Sequence, residues 1–365
     1  MRIDRVRIGY APVRMRRPMR TAIHQTTHTH NALVEVCADG VAGQGAALTL
    51  AAGHAQAVCR MLEDFAGLLH GRDPREIRAI SAAMRQQLSL TGQSGIGMLA
   101  LSAVDTALWD LHARAAGLPL FRMLGGSATA LPVYTQPGWL SLSDEELLAE
   151  ALQAQEQGFR HYKMRVGSPD WRRDLDRVTR VREALDPATH LLVDANQGWS
   201  RTRALAATRA LDELGLFWIE EPVAVDDVAG LAQIAAAIQT PVAAGESVFG
   251  TEGLRPLIEH AAAAVLMPDL QHCAGPTGFL LAATQAQLAG LPISNHLFIE
   301  TSVHLMAACP NAHIVEYMPG WWDELFERPP DIRDGTIRPS DEPGIGVRFR
   351  DDATATLHRP QHGPD

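Results

Sequence analysis

HLLVDANQGWS, residues 190–200, joins a short apolar run to an abrupt polar turn. Leu191, Leu192 and Val193 have the length and composition of a buried strand, and Asp194 then falls at its C-terminal end. A single acidic residue there is ordinary, because a strand end is where polarity resumes. It acquires meaning only if the pattern recurs.

Outward from this stretch it does. From Leu131 onward, apolar runs return again and again, each followed by a helical stretch: LPVYTQ, FRHYKMRVG, HLLVDAN, LFWIEEP, TPVAAGES, AAVLMPDL, LPISNHLF and AHIVEYM. Strands alternating with helices predict a parallel sheet, and eight of them predict a closed α/β barrel. A doubly wound open sheet is the other architecture that fits this rhythm. It would carry a glycine-rich phosphate turn after its first strand, and YTQPGWL is not one.

The strand ends carry, in order, Lys163 and Arg165, Asp194 and Asn196, Glu220 and Glu221, Glu246, Asp269, His296 and Glu316. In a parallel barrel the C-terminal ends of all strands face one mouth, so these groups converge on one pocket. Asp194, Glu220 and Glu246 come from adjacent strands, and three carboxylates brought together repel one another unless a cation lies between them. Oxygen ligands without Cys or His favour Mg²⁺. Lys163 and Arg165, two apart on one strand, point the same way. Asp269 is placed to orient the imidazole of His296 and raise its basicity, giving a base with a partner. Glu316 is a candidate buried carboxyl that donates a hydrogen bond if its pKa is raised.

A chain of 365 residues exceeds one small core. Residues 1–50 hold alternating stretches such as NALVEVCADG, which suit antiparallel strands with a turn at Asp39-Gly40; residues 53–118 have helical spacing, so an α+β unit precedes the barrel. The formal net charge is 32 − 42 = −10, which opposes general nucleic-acid binding. The exception is RMRRPMR, with Arg14, Arg16, Arg17 and Arg20, followed by His24, His28 and His30. This segment is either a solvated surface loop or a positive flap that meets an anionic small molecule. No apolar run is long enough to span a bilayer, and the basic N-terminus lacks the apolar segment of a secretory signal. Four scattered cysteines argue against a zinc site or a disulfide framework and point to the cytoplasm.

Taken together, these residues resemble the mandelate racemase group of the enolase superfamily, a resemblance carried also by GIGMLALSAVDTALWDLHARAAGLPL, MLGGSATALPVYTQPGW and DGTIRPSDEPGIGV. The resemblance implies a modified TIM barrel, (β/α)₇β, over residues 126–320. It implies an α+β capping domain over residues 1–125, joined by a C-terminal tail, residues 321–365. It implies Mg²⁺ on Asp194, Glu220 and Glu246, a Lys-x-Lys element on the second strand and a His296–Asp269 dyad, with Glu316 hydrogen-bonding the substrate carboxylate. Asn196 and Glu221 stand beside the metal ligands as candidates for supporting them or touching substrate. Specificity would rest on the capping segment 14–30, with Arg16, Arg17, Arg20 and His24 as candidate contacts, and on the end of the first barrel strand. A symmetric homo-oligomer is also implied.

The shared chemistry of that group is abstraction of the proton α to a carboxylate, giving an enediolate held by the metal. One position departs from its pattern: Arg165 stands where the group has a second Lys. A guanidinium with a pKa above about 12 is a poor proton acceptor. Racemisation needs a base on each face of the α-carbon, so the departure favours one-sided chemistry, in which His296 removes the proton and returns it to a departing β-hydroxyl. The expected reaction is dehydration of a sugar acid to a 2-keto-3-deoxy acid. A racemase or epimerase, a sugar-lactone cycloisomerase, and a barrel that binds a ligand without turning it over are the alternatives. Trp139, Trp321 and Trp322 either wall the pocket or pack, whereas His190, His260 and His313 are expected at the surface or in packing.

Overall fold

The computed structural model of the chain describes residues 1–135, 138–321 and 324–360. Three strands, β1 (Ile3–Arg20), β2 (Gln25–Ala38) and β3 (Val41–Thr49), form an antiparallel sheet in that order. Asp39 and Gly40 make the β2–β3 turn at φ 51° and 80°, the left-handed pair that a two-residue hairpin turn requires. The helices α1 (Ala52–Leu69), α2 (Ile77–Gln87) and α3 (Gly95–Ala115) follow. Gly43 and Gly45 let α3 lie directly on β3, for a Cβ at either position would sit 2.1 Å from the Ala107 carbonyl oxygen or 2.0 Å from that of Ala103.

The arginine-rich segment is part of a long hairpin and not a loop. Pairing of β1 with β2 continues through Arg14↔His28 and resumes at Met19↔Thr26. Ala11, Val13 and Met15 are buried while Pro12, Arg14 and Arg16 are exposed, the alternation of a one-faced strand. The hairpin tip docks on the barrel: a Cβ at Gly167 or Gly198 would meet the Cβ of Ala22 at 2.9 or 2.5 Å.

Eight parallel strands form the barrel: β4 (Leu131–Thr135), β5 (His161–Arg165), β6 (His190–Asp194), β7 (Ile219–Glu220), β8 (Val242–Ala244), β9 (Val265–Leu266), β10 (Ile293–Ser294) and β11 (Ala312–Tyr317). They lie in sequence order and close through β11 on β4, at Val315↔Val133. Each matches one of the eight apolar runs. Successive strand residues point to opposite faces, so Leu191 and Val193 join the core under the helices, whereas Leu192 joins Tyr134, Trp218, Ala243, Val265, Met267 and Ile314 inside the barrel. Burying each such apolar side chain contributes about 1.5–3 kcal/mol. This apolar plug closes the lower barrel and confines charge to the upper end.

The tail returns across both units. The hairpin of β12 (Ile332–Arg333) and β13 (Thr336–Ile337) pairs antiparallel with β4. Further on, the Ile345 and Phe349 amides donate to Asp110 Oδ1 (2.8 Å) and Gln44 Oε1 (3.0 Å), and His358 bridges to Ile8. The sheet-and-helix unit also grips the barrel directly, for Asp105 accepts from the Thr277 amide (2.9 Å) and Gln271 accepts from the Leu48 amide (3.0 Å). Among the described residues no helix is long and apolar enough to cross a membrane.

Candidate active site and metal centre

Strand register sets the site. Arg165 lies opposite Asp194 and Asp194 opposite Glu220, so all three stand on one level of the barrel interior. Oxygen atoms of Asp194, Glu220 and Glu246 lie within 4.8 Å of one another, and all three residues are buried. Glu246 Oε2 is buried and accepts no hydrogen bond. A buried carboxylate oxygen without a donor, beside two further carboxylates, is the arrangement that a hard cation satisfies. The three residues therefore fit Mg²⁺.

The carboxylates carry the imprint of crowding. Burial, then the charge of Asp194, raise the Glu220 carboxyl well above its usual range. Burial and the neighbouring Glu221 and Asp194 raise Glu246 to about 7, although His296 works against the shift. Two further groups hold Glu220, for Trp218 Nε1 donates to Oε2 (3.0 Å) and Lys163 Nζ donates to both oxygens (2.9 and 3.1 Å). Lys163 Nζ also donates to Glu316 Oε1 (2.9 Å) and lies 3.5 Å from Asp194 Oδ2. Burial disfavours its charge, but Glu220 and Glu316 outweigh burial and raise the ammonium above its ordinary value.

Arg165 Nη1 donates to Asp194 Oδ2, and its guanidinium lies 5.2 Å from the Trp139 ring centroid. Burial again opposes the charge, while Asp194 and Glu220 raise the pKa further. The side chain is thus held as a cation. Its Nε is buried and makes no hydrogen bond.

Opposite stands the dyad. His296 Nδ1 is 2.7 Å from Asp269 Oδ2, and Nε2 is 3.5 Å from Glu246 Oε2, the nearest of the three carboxylates on its strand side. Asp269 is fully buried, and its Oδ1 accepts from the His272 amide (2.7 Å). Burial would lower the imidazole pKa, but Glu246, Asp269 and Glu316 outweigh it and raise the pKa; a cation held by the three carboxylates would offset the Glu246 charge and return the ring toward the neutral form that can accept a proton. Leu297 and Phe298 follow at φ 49° and 48°, and this left-handed turn brings the Leu297 amide to Glu316 Oε2 (2.7 Å).

That contact corrects the expectation for Glu316. Burial alone would raise its carboxyl, but Lys163, His296 and the Leu297 amide lower it to about 2. Glu316 is held ionised as an acceptor and is not a neutral donor.

Asn196 donates to Asp194 through its backbone amide (2.7 Å, to Oδ1) and its side chain (3.1 Å, to Oδ2). Glu221 accepts from Ser247 Oγ (2.7 Å) and Gln197 Nε2 (3.1 Å). Gln197, Ser247 and Trp218 were not singled out in the sequence. Trp218 was accessible to the same reasoning as Lys163 and Arg165, because it lies two residues before Glu220 and so on the same face.

The capping residues lie apart from this cluster. Arg16 and Arg17 line a cleft of about 440 Å³ together with Trp139, Glu150, Tyr162 and Trp321, and Arg17 Nη1 is 3.7 Å from Glu150 Oε2. Arg20 is exposed, and its carbonyl accepts from the Leu140 amide (3.1 Å). The exposed His24 closes the hairpin tip through its backbone, which accepts from the Thr21 amide (2.9 Å). Trp139 and Trp321 stack at 6.2 Å; Trp322 lies outside the described residues. His190 and His313 pack on Phe217 at the opposite end of the barrel, and His260 sits on its own helix, 3.0 Å from the Pro256 carbonyl.

Comparison with known proteins gives the lineage. Residues 5–125 match the mandelate racemase / muconate lactonizing enzyme N-terminal domain, and residues 146–353 match the enolase C-terminal domain-like family. The chain is 34% identical over 316 residues to the L-talarate/galactarate dehydratase of Salmonella typhimurium, covering 86% of this chain and 79% of that one. It is 32% identical over 330 residues to the 3,6-anhydro-alpha-L-galactonate cycloisomerase of Streptomyces coelicolor, covering 88% and 91%. The crystal structure of L-talarate dehydratase from Polaromonas sp. JS666, complexed with Mg and L-glucarate, superposes with a TM-score of 0.92 at 34% identity, covering 98% of each chain. The chain belongs to the mandelate racemase group of the enolase superfamily.

Proposed function

We propose that the chain catalyses Mg²⁺-dependent removal of the proton α to a carboxylate, and that its reaction is dehydration of a sugar acid to a 2-keto-3-deoxy acid. The single observation that carries this reading is the asymmetry of the mouth. His296, backed by Asp269, stands at Glu246 on one side of the three carboxylates, while the other side holds a guanidinium fixed as a cation on Asp194. Mg²⁺ held by Asp194, Glu220 and Glu246 supplies positive charge where negative charge develops on the substrate carboxylate.

The remaining steps belong to the chain's own side chains. His296 Nε2 takes the α-proton while Asp269 holds Nδ1–H and stabilises the imidazolium. The same proton then passes to the departing β-hydroxyl, which leaves as water, and the enol product tautomerises to the 2-keto acid. Lys163, kept charged by Glu220 and Glu316, serves as a donor and not as a base. Arg165, fixed on Asp194, presents the small exposed part of its guanidinium to a substrate oxygen. Arg16, Arg17, Arg20 and His24 belong to the hairpin that docks on the mouth, and in this reading the hairpin tunes which sugar acid enters. A 1–125 cap, a 126–320 barrel, a returning tail, a cytoplasmic setting and a symmetric homo-oligomer complete the proposal. The four free cysteines agree with that setting.

The relatives named as sugar-acid dehydratases support this choice. A second reading, cycloisomerisation of a sugar lactone, also needs one base and is favoured by two relatives named as cycloisomerases. A panel of mono- and diacid sugars and their lactones, incubated with the Mg²⁺-loaded protein, separates the two. Formation of a 2-keto acid from a sugar acid supports dehydration. Turnover of a lactone alone supports the second reading.

A further inference from the structure

The three metal ligands differ in how the barrel holds them. Glu246 Oε2 accepts no hydrogen bond, and Asp194 accepts at both oxygens from Asn196, two residues further on. Glu220 is held from below, by the indole of Trp218. Trp218 precedes it by two residues, so both side chains enter the barrel interior, and Nε1 donates to Oε2 at 3.0 Å. The indole is fully buried and its ring is fixed on two sides, for Tyr134 meets it edge-on at 5.3 Å and Phe217 lies at 5.3 Å. The Tyr134 hydroxyl is buried without a hydrogen-bond partner. The indole N–H is therefore the polar group through which this aromatic layer grips the site.

The two oxygens of Glu220 are unequally occupied. Oε2 accepts twice, from Trp218 and from Lys163 (3.1 Å), and so uses both lone pairs; Oε1 accepts once, from Lys163 (2.9 Å). The two donors also respond differently to a cation. Lys163 carries a charge that repels Mg²⁺ and is shared with Glu316 (2.9 Å), so its hold on Glu220 weakens as a metal arrives. The indole is neutral and, among the described residues, donates to Glu220 alone. We propose that Trp218 is the positioning residue of the metal centre: its N–H holds Glu220 by Oε2 and leaves Oε1 as the oxygen that the cation takes. The inference rests on the assignment of Mg²⁺ to Asp194, Glu220 and Glu246, and adds to it that affinity depends on a neutral side chain that is not itself a ligand. Groups that orient a ligand in this way account for about 10- to 100-fold in metal affinity.

Calorimetric titration of Mg²⁺ into the metal-free full chain, with no substrate present, tests it on wild type, Trp218→Phe and Trp218→3-benzothienylalanine. Phenylalanine removes the N–H and part of the ring. Benzothienylalanine replaces the N–H by sulfur and keeps the size of the ring, which separates hydrogen bonding from packing. The Kd for Mg²⁺ is expected to rise about tenfold or more in both variants, while the Tm of the benzothienyl variant in EDTA stays near that of wild type. If Trp218→Phe does not fold, the isosteric variant carries the test alone. Affinity of the benzothienyl variant within about twofold of wild type overturns the inference, as does a lowered metal-free Tm with unchanged affinity, which marks Trp218 as a packing residue only. Wild type that binds no Mg²⁺ overturns the metal assignment beneath it. That failure shows as absent binding in every chain, whereas failure of the Trp218 inference alone shows as equal, saturable binding.

Discussion

Asp269→Asn removes one charge from the dyad without changing the size of the side chain. The wild-type carboxylate accepts at both oxygens, from His296 Nδ1 (2.7 Å) and from the His272 amide (2.7 Å). Asparagine keeps the second bond by presenting its carbonyl oxygen to His272, which turns its amide N–H toward His296. Two N–H groups cannot face each other, so the imidazole adopts the tautomer with a bare Nδ1 and a proton on Nε2. Nε2 is the atom that faces Glu246 and has to accept the α-proton. The charge-assisted hydrogen bond alone is worth about 1.5–3 kcal/mol, or roughly 10- to 150-fold in rate. Adding the wrong tautomer, the expected loss in kcat is about 10²- to 10⁴-fold, with KM much less affected. The assay is steady-state turnover of whichever sugar acid the panel identifies, read as 2-keto acid, with thermal unfolding as the check on folding. A folded variant whose kcat stays within roughly threefold of wild type would refute the role given to the dyad.

Glu246→Gln should leave the barrel folded but abolish most of the Mg²⁺-induced rise in Tm, and EDTA should abolish turnover of the wild type; full activity in metal-free protein contradicts the ligand assignment. Arg165→Lys keeps the positive charge but restores a titratable amine, and should introduce α-proton exchange from the face opposite His296, read by NMR in D₂O. Stability should fall in acid through His304, because burial lowers its pKa from 6.5 to about 4 and the native state therefore binds fewer protons than the unfolded state between those values. The expected loss between pH 7 and pH 5 is about 2 kcal/mol, measured by denaturant unfolding against His304→Gln, which should lack this component.

The barrel and its charged mouth were legible because both rest on short-range periodicity. A strand of five residues fixes which side chains point inward, and a parallel barrel brings every strand end to one mouth whatever the lengths of the helices between. Lys163, Arg165, Asp194, Glu220 and His296 could therefore be assembled without coordinates. What remained hidden depended on contacts across the chain. The Arg165–Asp194 pair follows from strand register, which hydrophobic alternation does not specify for two-sided buried strands. The ionised state of Glu316 depends on Lys163, 153 residues earlier, and on an amide presented by a left-handed Leu297, a conformation that a leucine does not announce. The N-terminal hairpin was obscured by composition: its arginines read as loop, although Ala11, Val13 and Met15 between polar neighbours already carried the strand period.

The central claim is that one base, His296, acts on one face of the α-carbon and carries the reaction through to loss of the β-hydroxyl. It is tested most directly by ¹H NMR in D₂O, following the Mg²⁺-loaded protein with sugar acids epimeric at the α-carbon, beside His296→Asn. The account predicts that wild type consumes one epimer to a 2-keto-3-deoxy acid, leaves the α-proton of the other in place, and that His296→Asn loses both exchange and product. Exchange of both epimers at comparable rates, or product formation surviving in His296→Asn, would contradict it.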